Sequence, residues 1–172
     1  MAEVGATSQH LEISAARSIV ETLSGEANGE EVARRLVKEG FQGCWVIALG
    51  NNDTANVYIG SQVGRMERIE RMMSAVGNQP VLWVNMKTLL ESGPYSETNM
   101  ELWDDTLLQA CAKYPNMRVF DWASMVNDSW FISDGVHFTS EGYAERARLS
   151  ADSLVHAFPA SGGEGDSGCV VH

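Results

Sequence analysis

Basic residues are scarce: 12 Lys and Arg stand against 23 Asp and Glu, a formal net charge of -11. So acidic a chain repels a phosphate backbone, and no basic stripe interrupts it, which argues against a nucleic-acid partner. Cysteine is scarce as well. Cys44, Cys111 and Cys169 lie far apart, with neither Cys-x-x-Cys nor Cys/His ligand spacing, so no zinc site is expected. A Cys44–Cys111 disulfide is one reading, and two idle thiols is the other and simpler one. No apolar run approaches the ~20 residues that cross a bilayer, so no membrane span is expected. The opening Met1 to Ser8 has neither the basic nor the apolar region of a secretory leader, so no signal peptide is expected and the compartment stays open.

What is present is the composition of a globular domain. With 172 residues, 44% hydrophobic and 20% charged, the chain fits one domain with a sizeable core. Cys44–Leu49, Val81–Asn85 and Met117–Phe120 are nearly continuous apolar runs, the pattern of strands covered on both faces. Helical spacing joins Leu11, Ala15, Ala16, Ile19 and Leu23, then Val63 to Val76, Met100 to Ala110, and Tyr143 to Phe158 with Ser140 as its cap. Glu30 to Lys38 reads as a shorter helix. This alternation predicts an α/β domain over residues 1–158, a three-layer α/β/α arrangement around a flavodoxin-like parallel sheet. Residues 159–172 are small, polar and Gly/Ser-rich, which predicts a mobile tail.

In such a sheet the ligand site lies beyond the carboxyl ends of the strands. The first apolar run ends in Gly50-Asn51-Asn52-Asp53, where an Asn amide can donate to a developing oxyanion, although any tight turn favours the same residues. Ser133-Asp134-Gly135-Val136-His137 lies just before the last helix. Its spacing lets Asp134 fold back onto His137, fix the tautomer through Nδ1 and leave Nε2 as a general base. The following helix N-terminus disfavours a positive imidazole, which Asp134 offsets. The alternative is an Asp-Gly turn followed by a surface His. Lys87 to Tyr95 follows the second strand on the same face, either as pocket wall or as plain connection. Trp45, Trp83 and the Met66, Met72 and Met73 group read as core.

Gly-x-Asn-Asp after one strand, with Asp-x-x-His some eighty residues later ahead of the final helix, resembles two sequence blocks of the SGNH (GDSL-like) hydrolase family. Val81–Asn85, the stretch from Asn99 to Val119, and Asp121-Trp122 extend the likeness over nearly all of residues 2–158. It looks closest to actinobacterial single-domain or acyltransferase-linked members. The resemblance implies a serine esterase, or lipase-like acyl-transfer enzyme, in which Asn52 and Gly5 hold the oxyanion and Asp134 and His137 act as acid and base. It implies no metal or organic cofactor, and a small-molecule or glycan acyl ester as substrate. Transfer to a carbohydrate hydroxyl and a catalytically silent binding domain are the alternatives. An unrelated flavodoxin-like binding module lacks its Gly-rich phosphate loop here.

The family's nucleophile sits in a Gly-Asp-Ser segment ending the first strand, and only four residues precede Gly5. Three sources for it stay open. Gly165-Asp166-Ser167 has the right letters but the wrong surroundings, with β-like Cys169-Val170-Val171-His172 after it instead of before. Ser8 lies near His10, but equally caps a helix beginning near Gln9. The third source, which the context favours, is sequence upstream of Met1. In that case the first, central strand is missing next to Ala2-Glu3-Val4, and the exposed sheet edges predict instability or a homo-oligomer that shares strands.

Overall fold

The computed structural model of the chain describes residues 8–23, 25–160 and 165–172. Four parallel strands form one sheet in the order β1-β2-β3-β4: β1 (Trp45–Ile47), β2 (Val81–Val84), β3 (Met117–Phe120) and β4 (Val170–Val171). Around them lie α1 (Gly29–Lys38), α2 (Asn51–Tyr58), α3 (Arg65–Val76), α4 (Glu97–Cys111), the single turn α5 (Trp122–Met125) and α6 (Ser140–Ala157). The chain is thus mixed α/β with an all-parallel sheet flanked by helices.

Strand periodicity explains the layering. Along β2, Val81 and Trp83 point into one core with Ile69, Met73, Trp103 and Leu107 from α3 and α4. Leu82 and Val84 point the other way, into a second core with Phe120, Trp122, Val171 and, from α6, Leu149, Leu154 and Ala157. Both faces of β2 are therefore dry, and its four residues are at most 1% exposed. The uninterrupted apolar run of this strand is the consequence.

Several expectations need correction. The stretch Leu11–Leu23 is not helical in its described residues. Its backbone groups are used elsewhere: the N–H groups of Gly29 and Glu30, free at the start of α1, donate to the carbonyls of Ser18 and Ile19 at 2.8 and 3.0 Å. The Ile19 N–H donates to Asp53 Oδ1 at 2.9 Å. The apolar spacing marks no common buried face, since Ile19 is fully buried while Leu11 and Leu23 are more than half exposed. Ser8 consequently caps no helix. At α6 the capping side chain is Thr139, whose Oγ1 accepts from the Gly142 N–H, and Ser140 is the first helical residue.

The second correction concerns residues 165–172, the described end of the expected tail. They pack: β4 pairs with β3, the Asp121 N–H donates to the Val171 carbonyl at 3.0 Å, and Val171 is fully buried. The third is the disulfide, which joins Cys111 on α4 to Cys169 just before β4, with Cα atoms 5.9 Å apart, and leaves Cys44 free. Composition made this segment look unpackable, because a two-residue strand carries almost no periodic signal and its partners lie far away in sequence.

At the other side of the sheet, β1 pairs with β2 alone among the described strands, and Val46 is 48% exposed on it. The expected strand Ala2-Glu3-Val4 falls outside the described residues. No described helix is long and apolar enough to cross a membrane.

Candidate active site

Beyond the carboxyl ends of β1 and β2 opens a cavity of about 500 Å³, lined among others by Ser14, Ala16, Arg17, Asn52, Tyr95, Asp134, His137 and Arg146. That volume suits a small ligand. Each wall has an identifiable origin.

The Asp134–His137 wall is a tight reversal held at its base. Phe131 and Phe138 form an antiparallel bridge, the Ile132 N–H donates to the His137 carbonyl at 2.9 Å, and the Leu89 N–H donates to the Gly135 carbonyl at 2.8 Å. Gly135 turns the chain with φ +69°, a left-handed value that side chains other than Gly rarely adopt. Asp134 Oδ1 accepts from the N–H groups of Val136 and His137, both at 2.9 Å, and Oδ2 lies 2.7 Å from His137 Nδ1. The two backbone N–H groups, followed by the imidazole, hold the carboxyl down to about 2. A carboxylate facing Nδ1 requires the proton on that nitrogen, so Nε2 is left as the basic atom. Nε2 makes no hydrogen bond to a described residue, and the imidazole is largely exposed.

The opposite wall is the start of α2, a helix not expected from the sequence. Gly50 precedes it with φ +147°, and a Cβ there would stand 1.7 Å from Met86 Cε and 2.5 Å from Trp103 Nε1. Only glycine lets the chain turn this close to the core. Asn52 therefore occupies the first helical turn instead of a free loop. Its Oδ1 accepts from the Tyr95 hydroxyl at 2.9 Å, and its Nδ2 lies 3.4 Å from the Arg17 carbonyl.

Ser14 to Arg17 forms the third wall, the start of an irregular strap that α2 and α3 fasten. Asn56 Nδ2 donates to Ser18 Oγ and to Glu21 Oε2, each at 2.9 Å. Behind it the buried Arg68 guanidinium donates to Asp53 Oδ1 at 2.8 Å and to both Glu21 oxygens. Burial raises Asp53 to about 6 against the pull of Ile19 N–H and Arg68, whereas Arg68 and Ser61 bring Glu21 down to about 2 despite its own partial burial. The strap's Ala16 has φ +53°, the one non-glycine among the described residues in that region. Strained backbone of this kind gathers at functional sites.

Asp134, His137 and Asn52 thus share one cavity, together with Lys87 and Tyr95 of the loop after β2. Gly5 lies outside the described residues. Ser8 is exposed and does not line the cavity, and Ser167 stands before the amino end of β4, whereas the cavity opens beyond the carboxyl ends. Among the described serines only Ser14 lines it, and its Oγ bonds the Ala15 carbonyl at 3.5 Å, not His137. Sequence reasoning missed Ser14, Ala16, Arg17 and Arg146. The first three were concealed by an apolar period that suggested helix, and Arg146 by its place in an ordinary amphipathic one. No group of three or more His, Cys, Asp or Glu among the described residues can hold a metal.

No family model matches the chain, and no curated protein matches it.

Proposed function

We propose that this cavity is an acyl-transfer site of the SGNH hydrolase type, acting on the ester of a small acyl group. The observation that carries the reading is the Asp134–His137 pair, with Nδ1 bonded at 2.7 Å and Nε2 free toward a cavity that also holds the Asn52 amide. In this reading His137 Nε2 takes a proton from the attacking hydroxyl and returns it to the leaving alcohol. Asp134 keeps the ring in the right tautomer and stabilises its cation. Asn52 Nδ2 donates to the oxyanion of the tetrahedral intermediate, the charge that grows as the carbonyl is attacked. The family fold itself, a three-layer sandwich with this sheet order at its centre, belongs to the same proposal. Transfer of the acyl group to a carbohydrate hydroxyl uses the same groups with a sugar in place of water.

Hydrolysis of p-nitrophenyl acetate that is lost in His137→Ala supports this function, and hydrolysis untouched by that change refutes it. Labelling with a fluorophosphonate, followed by peptide mass spectrometry, identifies the nucleophile. A second reading, a silent binding domain, draws on the absence of any described serine bonded to His137. A chain that resists the label and hydrolyses nothing would bear out that second reading.

A further inference from the structure

The cavity reverses the charge of the protein. Acidic residues outnumber basic ones 23 to 12 over the whole chain, yet the lining contains Arg17, Lys87 and Arg146 and a single carboxylate, Asp134. Asp134 is already engaged by His137. Two of the cations are also engaged: Lys87 Nζ lies 2.8 Å from Glu97, and Arg17 lies 3.9 Å from Glu12 and donates to its carbonyl. Arg146 differs from both. It forms no ion pair or hydrogen bond with any described residue; its Nε, like that of Arg17, is buried without a partner.

Aromatic rings explain how such a group is tolerated. The guanidinium carbon lies 5.7 Å from the centre of Phe138 and 5.9 Å from that of Trp122, within range of cation–π attraction from both. Trp122 is itself held against Trp130 and Phe138, at 5.8 and 5.4 Å between centroids. Burial brings the guanidinium down to about 10, still far above neutral pH, so it stays cationic. Rings supply attraction to its faces, but none of them accepts hydrogen bonds from its N–H edge. The buried Nε is left without an acceptor and the two terminal nitrogens, open to the cavity, have none among the described residues, so an anionic oxygen pair entering the cavity meets that edge with the best geometry.

We infer that Arg146 is a specificity residue, which holds a carboxylate or phosphate on the substrate while His137 acts on the ester in the same cavity. This rests on the acyl-transfer reading for the word substrate, but binding can be tested without turnover. Trp122 lines the cavity next to Arg146, so a saturable change in the chain's tryptophan emission on titration reports occupancy. Monomethyl succinate and dimethyl succinate differ by one anionic charge and little in shape. The wild-type chain should bind the monoester more tightly by about tenfold or more. Arg146→Gln should erase that preference while leaving the weak affinity for the diester, and Arg146→Lys should restore part of it. Inorganic phosphate should compete with the monoester, and the stronger of phosphate and succinate as competitor identifies which anion the substrate carries.

Equal binding of the two succinates by the wild type overturns the inference, whatever the variants do. So does a preference that survives in Arg146→Gln. The acyl-transfer reading fails separately, through absence of ester hydrolysis with anion binding intact.

Discussion

The Tyr95 hydroxyl donates to Asn52 Oδ1 at 2.9 Å, linking the loop after β2 to the first turn of α2 across the cavity. Because the carbonyl end of the amide is committed as an acceptor, Nδ2 is left as the end that can donate. Tyr95 is thereby a positioning residue for the proposed oxyanion donor. Losing one neutral hydrogen bond in Tyr95→Phe should lower kcat for p-nitrophenyl acetate by about threefold to tenfold with KM kept. Asn52→Ala should lower it by about 10²- to 10³-fold. Equal KM effects and no kcat effect would assign Tyr95 to substrate binding instead.

Asp134→Asn keeps the size of the side chain and removes its charge. The imidazole then loses the partner that fixes its tautomer, and kcat should fall by up to about 10⁴-fold. The folded carboxyl sits at about 2, below its ordinary value. Its contribution to the fold is therefore complete above the ordinary value and disappears as pH falls through about 2. Carbon-13 titration of the side chain should show it ionised at pH 3, and a midpoint near 4 would mean that the hydrogen bonds from the Val136 and His137 N–H groups and from the imidazole are not maintained in solution.

Asp104 on α4 has the opposite sign. Burial raises it to about 8, with Glu97, Asp121 and Asp105 adding to the rise against the Met86 N–H, which lies 3.1 Å from Oδ1. Between the ordinary carboxyl value and 8 the folded chain holds a proton that the unfolded chain has released. Stability must then decline as pH rises across that interval and level off above it. Asp104→Asn keeps an acceptor for Met86 and cannot ionise. The difference in Tm between variant and wild type should be small at pH 5 and favour the variant at pH 9. A constant difference would contradict the assignment.

Reduction should act mainly on β4. The Cys111–Cys169 bond spans 58 residues, and closing a loop of that length is worth at most about 4 kcal/mol by chain entropy. Cys169→Ser should therefore lower Tm under non-reducing conditions and remove the sensitivity of Tm to dithiothreitol. Hydrogen exchange should speed up at Asp121, whose N–H donates to Val171, and much less at Trp83 in β2. Uniform acceleration throughout the sheet would show instead that β4 and the central strands unfold as one unit.

The sequence by itself determined the elements whose apolar pattern is long and local. Nearly continuous apolar runs announced β1, β2 and β3, and helical periods announced α1, α3, α4 and α6; at β2, α3 and α4 the pattern copies what the residues touch, whereas Val46 of β1 and Tyr143 of α6 are about half exposed. The bond between Asp134 and His137 was legible because it is local: the two residues are three positions apart, with a glycine between them.

Tertiary structure alone decided the rest. The apolar spacing of Leu11–Leu23 suggested a helix, but Asp53 and the start of α1 take the backbone groups at Ser18 and Ile19 that a helix would have used. The tail after Phe158 looked too polar to pack until Cys169 and Val171 met α4 and β3. Arg146 illustrates the limit best. Its spacing on α6 is that of any solvated basic residue, and only the fold places it between Trp122 and Phe138, facing a cavity, without an acid to neutralise it. Contacts between residues far apart in the chain leave no periodic trace, and this cavity is assembled from five separate segments of that kind.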